Sequence, residues 1–388
     1  MPPPRSTTAR AELVVDVAAI RHNVRTLRRL VGPGVAMMVV VKADGYGHGM
    51  AESARAAREA GAEWLGVATL DEALALRAAG DTGRVLCWLT VPGEDYAAAV
   101  VADVDVTVYS EAELAEVVGA TGDRPARVQL KVDTGLNRGG APVAAWPALF
   151  AAAAGLERDR RITVTGIWSH FSSSDEPDDP ANAAQAAAFE EALREAERAG
   201  LRPEVRHLAN SAAAILRPSS RLDLVRVGIA AYGLDPAPGH SPDLGLVPAM
   251  TARASLAMVK HVEAGAAVSY GRTWTAGQST TLGLVPVGYA DGVPRVAGNR
   301  AEAWVAGARR PVRGRICMDQ LVVDLDDAAA AAGDDAVLFG PGVHGEPTAQ
   351  DWAEACGTIS YEIVTRIGGR MTRRHVDSAP DTAGRTDR

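Results

Sequence analysis

Between residues 35 and 227 the chain alternates short apolar, β-branched runs with longer Ala/Glu/Arg-rich stretches of helical period. The runs at 35–41, 64–68, 84–88, 104–109, 127–133, 162–168, 205–209 and 222–227 read as strands buried on both faces. Helices are expected between them, among them 50–60, 70–79, 111–118 and 181–199. Eight strand–helix alternations in about two hundred residues are the count and size of a (β/α)₈ TIM-type barrel. An open doubly wound sheet is the alternative, but no G-x-G-x-x-G follows the first strand. Beyond Pro236-Ala237-Pro238-Gly239 the texture changes. Long β-branched runs (254–262, 280–287, 320–325, 336–339) with Gly-rich turns predict a mainly β C-terminal domain. One short helix is expected over 348–356, with Thr348 as its N-cap. The expected organisation is a disordered N-terminus at 1–10, a barrel over 11–243, a β-rich domain over 244–376 and a disordered tail at 377–388.

Composition narrows the partners. At 388 residues the chain exceeds one compact core. Its net charge of −8, without a long basic run, argues against nucleic acid or an anionic membrane. The three cysteines (Cys87, Cys317, Cys356) form no CxxC and fit neither a disulfide framework nor a zinc site. Reduced thiols in a cytoplasmic protein, with no metal, are the expectation. No window approaches the roughly 18 apolar residues of a membrane helix, and the first ten residues lack the apolar core of a signal peptide.

The densest chemical signal is Val39-Val40-Val41-Lys42-Ala43-Asp44-Gly45-Tyr46-Gly47-His48-Gly49. A lysine that ends a buried strand is partly desolvated, which lowers its pKa and frees the amine as a nucleophile. Such amines form Schiff bases with aldehydes, including pyridoxal phosphate. Barrel active sites are built at the C-terminal ends of the strands. Lys42 ends the first expected strand, Arg138 follows the fifth and His170 ends the sixth. Asn210 and Ser211 follow the seventh, and Arg226 with Gly228 and Ile229 ends the eighth, so these residues share one rim. Phosphate sites on barrels favour helix N-termini after the last two strands, where Ser211 and Gly228-Ile229 stand. An arginine in a buried strand needs a partner, which Arg226 must find inside the barrel.

Further blocks complete a pattern: Lys131-Val132-Asp133-Thr134-Gly135, His207-Leu208-Ala209-Asn210-Ser211, Val225-Arg226-Val227-Gly228-Ile229 and Val268-Ser269-Tyr270-Gly271. Pro286-Val287-Gly288-Tyr289-Ala290-Asp291-Gly292, Cys317-Met318-Asp319-Gln320 and Ser360-Tyr361-Glu362 follow. In this order the constellation resembles the alanine racemase family, over residues from about Glu12 to about Val376. The resemblance implies a cytoplasmic homodimer with shared active sites that uses pyridoxal 5′-phosphate to interconvert L- and D-alanine for peptidoglycan. It assigns Lys42 and the partner subunit's Tyr270 as the two bases. It places Tyr46, Ser211, Gly228, Ile229 and Tyr361 at the phosphate, with Asn210 beside them, and Arg226 at the pyridine nitrogen with His170 orienting it. Arg138 and the backbone N–H of Met318 would take the substrate carboxylate, and Lys131 resembles a lysine that carries a carbamate in many members. Tyr289, Asp319, Arg295, Arg315 and Asp175 match the substrate entrance. His207 is read as a hydrogen-bonded core histidine. Rival readings are a decarboxylase on the same barrel, disfavoured by Arg226, a non-catalytic carrier of the cofactor, and a racemase of serine.

Overall fold

The structure is a computed structural model that describes residues 9–122 and 124–378. The expectations for 1–8 and 379–388 lie outside the described residues. The chain divides into two compact units, one of Ile20–Gly45 with Gly49–Leu246, the other of the residues up to Ala19 with Tyr46–His48 and those from Val247 onward.

The first unit is the barrel. The chain's first strand, β1 (Ala11–Asp16), belongs to the other unit, so the barrel strands are β2 (Ala36–Val40), β3 (Trp64–Val67), β4 (Arg84–Cys87), β5 (Asp105–Val108), β6 (Ala126–Lys131), β7 (Ile162–Trp168), β8 (Val205–His207) and β9 (Leu224–Val227). They are parallel in the order β8-β7-β6-β5-β4-β3-β2-β9. Asp223 N–H to Arg206 O (3.2 Å) and Arg226 N–H to Ala209 O (3.0 Å) draw β9 back towards β8 and nearly close the ring. Met38, Trp64, Leu86, Trp168 and Leu224 pack into one buried cluster. Helices Met50–Glu59, Leu70–Ala78, Glu111–Gly119 and Pro180–Arg198 fall where the periodicity put them. Their starts are chemically marked. Thr69 and Glu72 form a reciprocal capping box, and Ser110 accepts from Glu113 N–H at 3.2 Å.

The second unit carries β10 (Met250–Ser255), β11 (Met258–Val262), β12 (Ala267–Val268), β13 (Trp274–Thr275), β14 (Thr280–Val285), β15 (Glu302–Val305), β16 (Ala308–Arg313), β17 (Leu321–Asp326), β18 (Asp335–Phe339) and β19 (Thr372–Val376). Nine strands form one sheet, β11-β14-β17-β16-β15-β18-β10-β1-β19, and β12-β13 a separate ribbon. Residues 11–16, expected in the barrel domain, are here instead because β1 pairs antiparallel with β10 and parallel with β19. Glu12 stands opposite Arg253 in that register, and their side chains, both about 1% exposed, form an ion pair. A buried charge of either sign demands such a partner. Arg10, placed in the expected disordered segment, lies 3.7 Å from the carboxylate of Asp291. The expected run 254–262 is two strands, β10 and β11, and a helix at Ser360–Arg366 follows the anticipated one at Ala349–Cys356. Among the described residues no helix is long and apolar enough to cross a membrane.

Candidate active site

Lys42 stands two residues beyond the end of β2, where the sequence had placed it as the strand's last residue, and opens a turn of reversed hand. Ala43 (φ 53°), Asp44 (φ 53°), Gly45 (φ 63°) and Tyr46 (φ 53°) are all left-handed, a conformation that costs a non-glycine residue roughly 1–2 kcal/mol. Local bonds hold it there. Gly45 N–H donates to Val41 O and Gly49 N–H to Asp44 O, each at 2.8 Å, while Met50 N–H reaches the Asp44 carboxylate at 2.9 Å. Ala43 N–H donates to Glu72 at 2.7 Å. The same carboxylate accepts from Ala68 N–H (2.8 Å) and Thr69 N–H (3.3 Å), so one side chain ties the lysine turn to the neighbouring strand–helix junction. Lys42 Nζ lies 5.8 Å from the centre of the Trp88 ring. Gly66 makes room for that ring, since a Cβ there would meet Trp88 at 2.7 Å and Met38 Sδ at 2.8 Å. Burial, and then the charge of Arg138, lower the Lys42 pKa from 10.5, with Glu72 opposing.

Lys131, Arg138 and Arg226 bear on the same region. Burial first, then Arg138 and Arg226, push Lys131 from 10.5 down to about 8. Its Nζ sits 4.6 Å from the centre of Trp168 and 5.5 Å from that of Tyr109. Arg138 is exposed and has no hydrogen bond or ion pair with a described residue. Its loop is set by Asp133, which accepts from Gly135 N–H (2.9 Å) and Asn137 N–H (3.1 Å). Lys42, Lys131, Arg138 and Arg226 thus bring four cationic side chains to one end of the barrel, with Glu72 and Asp133 opposing them, an arrangement that favours anions.

Arg226 is buried on β9, and burial lowers its pKa from 12.5 to about 9. Nη1 meets His207 Nδ1 at 2.8 Å. Nη2 donates to Ser169 O (2.8 Å) and Leu208 O (3.0 Å) and meets His170 Nδ1 at 3.1 Å. Burial, then the charge of Arg226, holds both histidines well below 6.5, so both are neutral acceptors. Nε of Arg226 is left without a partner among the described residues. Beyond it, Gly228 N–H donates to Ser211 Oγ at 2.8 Å and joins the loops after β8 and β9. Asn210 caps the helix Ser211–Leu216 through Ala213 N–H (3.0 Å). The amides of Ser211, Ala212, buried Ile229 and Ala230 find no acceptor among the described residues.

The other unit gathers the remaining expected residues. The rings of Tyr46 and Tyr361 lie 6.2 Å apart, tilted by 50°. Burial, with Tyr361 adding, raises the Tyr46 pKa far above 10. Tyr270 (71% exposed), Met318 (52%) and Tyr289 (42%) present apolar surface to solvent. Tyr289 N–H donates to Cys317 O (3.1 Å) and Ala290 N–H to Met318 O (3.0 Å). Arg370 grips buried Asp291 through Nε and Nη2 (2.9 Å each) and Asp319 through Nη1 (2.6 Å), so it fixes both sides of this junction. The Arg315 guanidinium packs against Gly271, where a Cβ would meet Nη1 at 2.8 Å. Arg295 also falls in this unit and Asp175 in the barrel.

Two family models match the chain, the alanine racemase N-terminal domain over residues 15–236 and the alanine racemase C-terminal domain over 249–375. The chain belongs to the alanine racemase family. An alanine racemase of Streptomyces coelicolor is 54% identical over 377 residues, covering 95% of this chain and 96% of the relative. One of Salinispora arenicola is 53% identical over 369 residues, covering 95% and 98%. Among solved structures, the alanine racemase from Streptomyces lavendulae has a TM-score of 0.94 at 50% identity, over 96% of this chain and 99% of that one. This chain is accordingly an enzyme of the alanine racemase family.

Several residues that shape this alanine racemase family site were passed over in the sequence. Glu72 was visible only as half of the T-x-x-E cap signature at Thr69. His207 is the hydrogen-bonded core histidine it was read as, and what was missed is that it is the closer of the two histidines to Arg226. Its one signal was its position at the end of a barrel strand. Arg370 had none, because it lies 51 residues beyond the Asp319 that it holds.

Proposed function

We propose that the chain interconverts L- and D-alanine with pyridoxal 5′-phosphate, using one base on each face of the substrate carbon. The observation that carries this reading is the convergence of a desolvated lysine and a buried, histidine-held arginine at a barrel end that also bears Lys131 and Arg138. The donor set fits the cofactor. Four open amides after β8 and β9 suit a phosphate, Arg226 Nε–H suits a ring nitrogen, and Lys42 suits an aldehyde. When bound, the cofactor supplies that aldehyde and a conjugated ring that draws electrons from the substrate carbon.

The residues then take these parts. Lys42, its pKa lowered by burial, holds or releases a proton on one face. Tyr270 of the partner subunit serves the opposite face. Arg138, without a hydrogen bond or ion pair to any described residue, binds the substrate carboxylate through its fork, and the N–H of Met318 of the partner subunit would add a further donor. Ser211, Gly228, Ile229, Tyr46 and Tyr361 hold the phosphate, with Asn210 capping the helix that bears Ser211. Arg226 can only donate, so the nitrogen it faces stays unprotonated. That keeps electron withdrawal modest and favours return of the proton to carbon. Lys131, with its pKa near 8, is reactive enough for a carbamate that would neutralise charge beside Arg138. The homodimer, the cytoplasmic location and the supply of D-alanine to peptidoglycan belong to the same proposal.

Mixing two inactive variants tests the shared site. Lys42→Ala and Tyr270→Ala homodimers are each expected to lose racemisation, followed by a chiral assay with added cofactor. Unfolded apart and refolded together, they should recover about a quarter of wild-type activity, because half the dimers are mixed and each holds one intact site. Absence of recovery from folded mixed dimers would refute the shared site, and absence of racemisation by the wild-type chain would refute the activity.

A further inference from the structure

Behind Arg226 the barrel interior holds a line of polar side chains that take no part in the proposed chemistry. From Arg226 Nη1 it runs to His207 Nδ1 (2.8 Å), from His207 Nε2 to Gln129 Oε1 (2.7 Å) and from Gln129 Nε2 to Asp105 Oδ2 (3.4 Å). Asp105 also accepts from Thr165 Oγ1 (2.6 Å), Arg127 Nε (2.6 Å) and Arg84 Nη2 (3.0 Å). Arg226 is 4% exposed, and His207, Gln129 and Asp105 are each 0% exposed. Asp105 is the first residue of β5, whereas His207 is the last of β8. The line therefore crosses from the rim that bears the site towards the opposite end of the barrel.

Its two ends fix the direction of every bond. A guanidinium only donates, so His207 Nδ1 must be bare. A neutral ring then carries its proton on Nε2 and donates to Gln129 Oε1. That turns the Gln129 amide nitrogen towards Asp105, whose carboxylate only accepts. Reversing any one bond leaves a buried donor facing a donor. The His207 ring is stacked on Trp168, with centroids 5.5 Å apart and planes 6° from parallel.

Gly166 gives independent support. It lies inside β7, where glycine weakens a strand, and it is not among the residues with positive φ. A Cβ at this position would lie 2.7 Å from both Oε1 and Cδ of Gln129. The missing side chain is the space that the amide occupies.

We infer that Gln129, anchored by Asp105, is a positioning residue for the reaction: it holds the Nε2–H tautomer and the angle of His207, and through them the guanidinium of Arg226. This rests on Arg226 facing the cofactor ring. The contribution is orientational, since Gln129 touches neither substrate nor cofactor in the proposed arrangement.

The test uses holoenzyme with ¹⁵N-labelled histidine and two variants. Gln129→Met removes the amide at similar length, and Gly166→Ala leaves the amide intact but displaces it. Each is expected to lower kcat about tenfold or more with KM for alanine changed less than about twofold, as for other groups that orient a reacting residue through hydrogen bonds. Long-range ¹H–¹⁵N spectra should show His207 in the single Nε2–H form in the wild type, and exchanging or shifted in both variants. Lost activity with an unchanged His207 spectrum would reduce the effect to packing and overturn the proposal. A changed spectrum with unchanged kcat would overturn it equally. Should the wild-type holoenzyme fail to racemise alanine while His207 still reports the Nε2–H form, it is the functional reading that fails, not the hydrogen-bonded line.

Discussion

Replacing Glu72 with glutamine should loosen the turn that presents Lys42. Two carboxylate oxygens of Glu72 serve three amides, Ala43 on one and Ala68 with Thr69 on the other. Glutamine retains one acceptor and sets an NH₂ group against the donors that its nitrogen faces. Staying with the two helix-cap amides is the better compromise, so Ala43 N–H loses its partner. A hydrogen bond to a charged group contributes about 1.5–3 kcal/mol, and the half-buried setting of Glu72 favours the lower end, near 2 kcal/mol. Against it stands the reversed turn, whose three non-glycine residues store roughly 3–6 kcal/mol. Removing about 2 kcal/mol of restraint is therefore enough to let the turn relax and carry the amine away from its place. In a chain of this size the global signature is small, a fall of about 3 °C in the thermal midpoint. The local signature is larger: a fall in kcat and weaker cofactor retention, read by racemisation rate and visible absorbance across a dilution series. A Glu72→Gln enzyme with the wild-type rate, cofactor retention and thermal midpoint would refute the claim that Glu72 restrains this turn.

Other expectations follow from the same geometry. The Lys131 pKa of about 8 against an ordinary 10.5 makes its charge costly in the folded chain, by about 3 kcal/mol when protonated. That cost is present in full below about pH 8 and disappears as pH rises towards 10.5, because the unfolded chain then binds more protons. The cofactor-free chain should thus gain stability between about pH 8 and 10.5, and Lys131→Met should flatten the rise in a denaturant titration; parallel curves for the two proteins would rule this out. Tyr270→Ala should chiefly impair proton abstraction from one isomer, seen as unequal deuterium exchange at the substrate carbon for L- and D-alanine, and equal rates would contradict the two-base reading. Gly66→Ala should destabilise by about 1–3 kcal/mol through collision with Trp88 and Met38, and an unchanged midpoint in guanidinium would show that the ring has room to move.

The barrel was legible because its strands are buried on both faces and therefore read as unbroken apolar runs, bounded by helices with marked starts. The positions of Lys42 just past β2 and of Arg226 within β9 could be read the same way, as charged residues at the ends of such runs, whereas Arg138 lies seven residues beyond β6 and was marked only by the family pattern. What escaped the sequence was pairing across long separations. Nothing in the alternation of Ala11–Asp16 says that its neighbours are residues 250–255 and 372–376. Nothing in the local pattern of Gln129 announces His207, 78 residues away. His207, read from the sequence as a hydrogen-bonded core histidine, is fully buried and bonded on both ring nitrogens; only the identity of its partners was hidden. The reversed turn after Lys42 was half visible, because the glycines at 45, 47 and 49 suggest it while Ala43 and Asp44 argue against it.

The pairing of Glu12 with Thr372 has a consequence for how the chain is made. A ribosome releases residues 11–16 before the segments that flank them, which appear only after all eight barrel staves, between residues 36 and 227, have been synthesised. For that interval a sticky ribbon, Ala-Glu-Leu-Val-Val-Asp, waits with both backbone margins unclaimed, the condition in which chains capture one another. Its burial must wait for residues 372–376, more than 350 positions further along the chain.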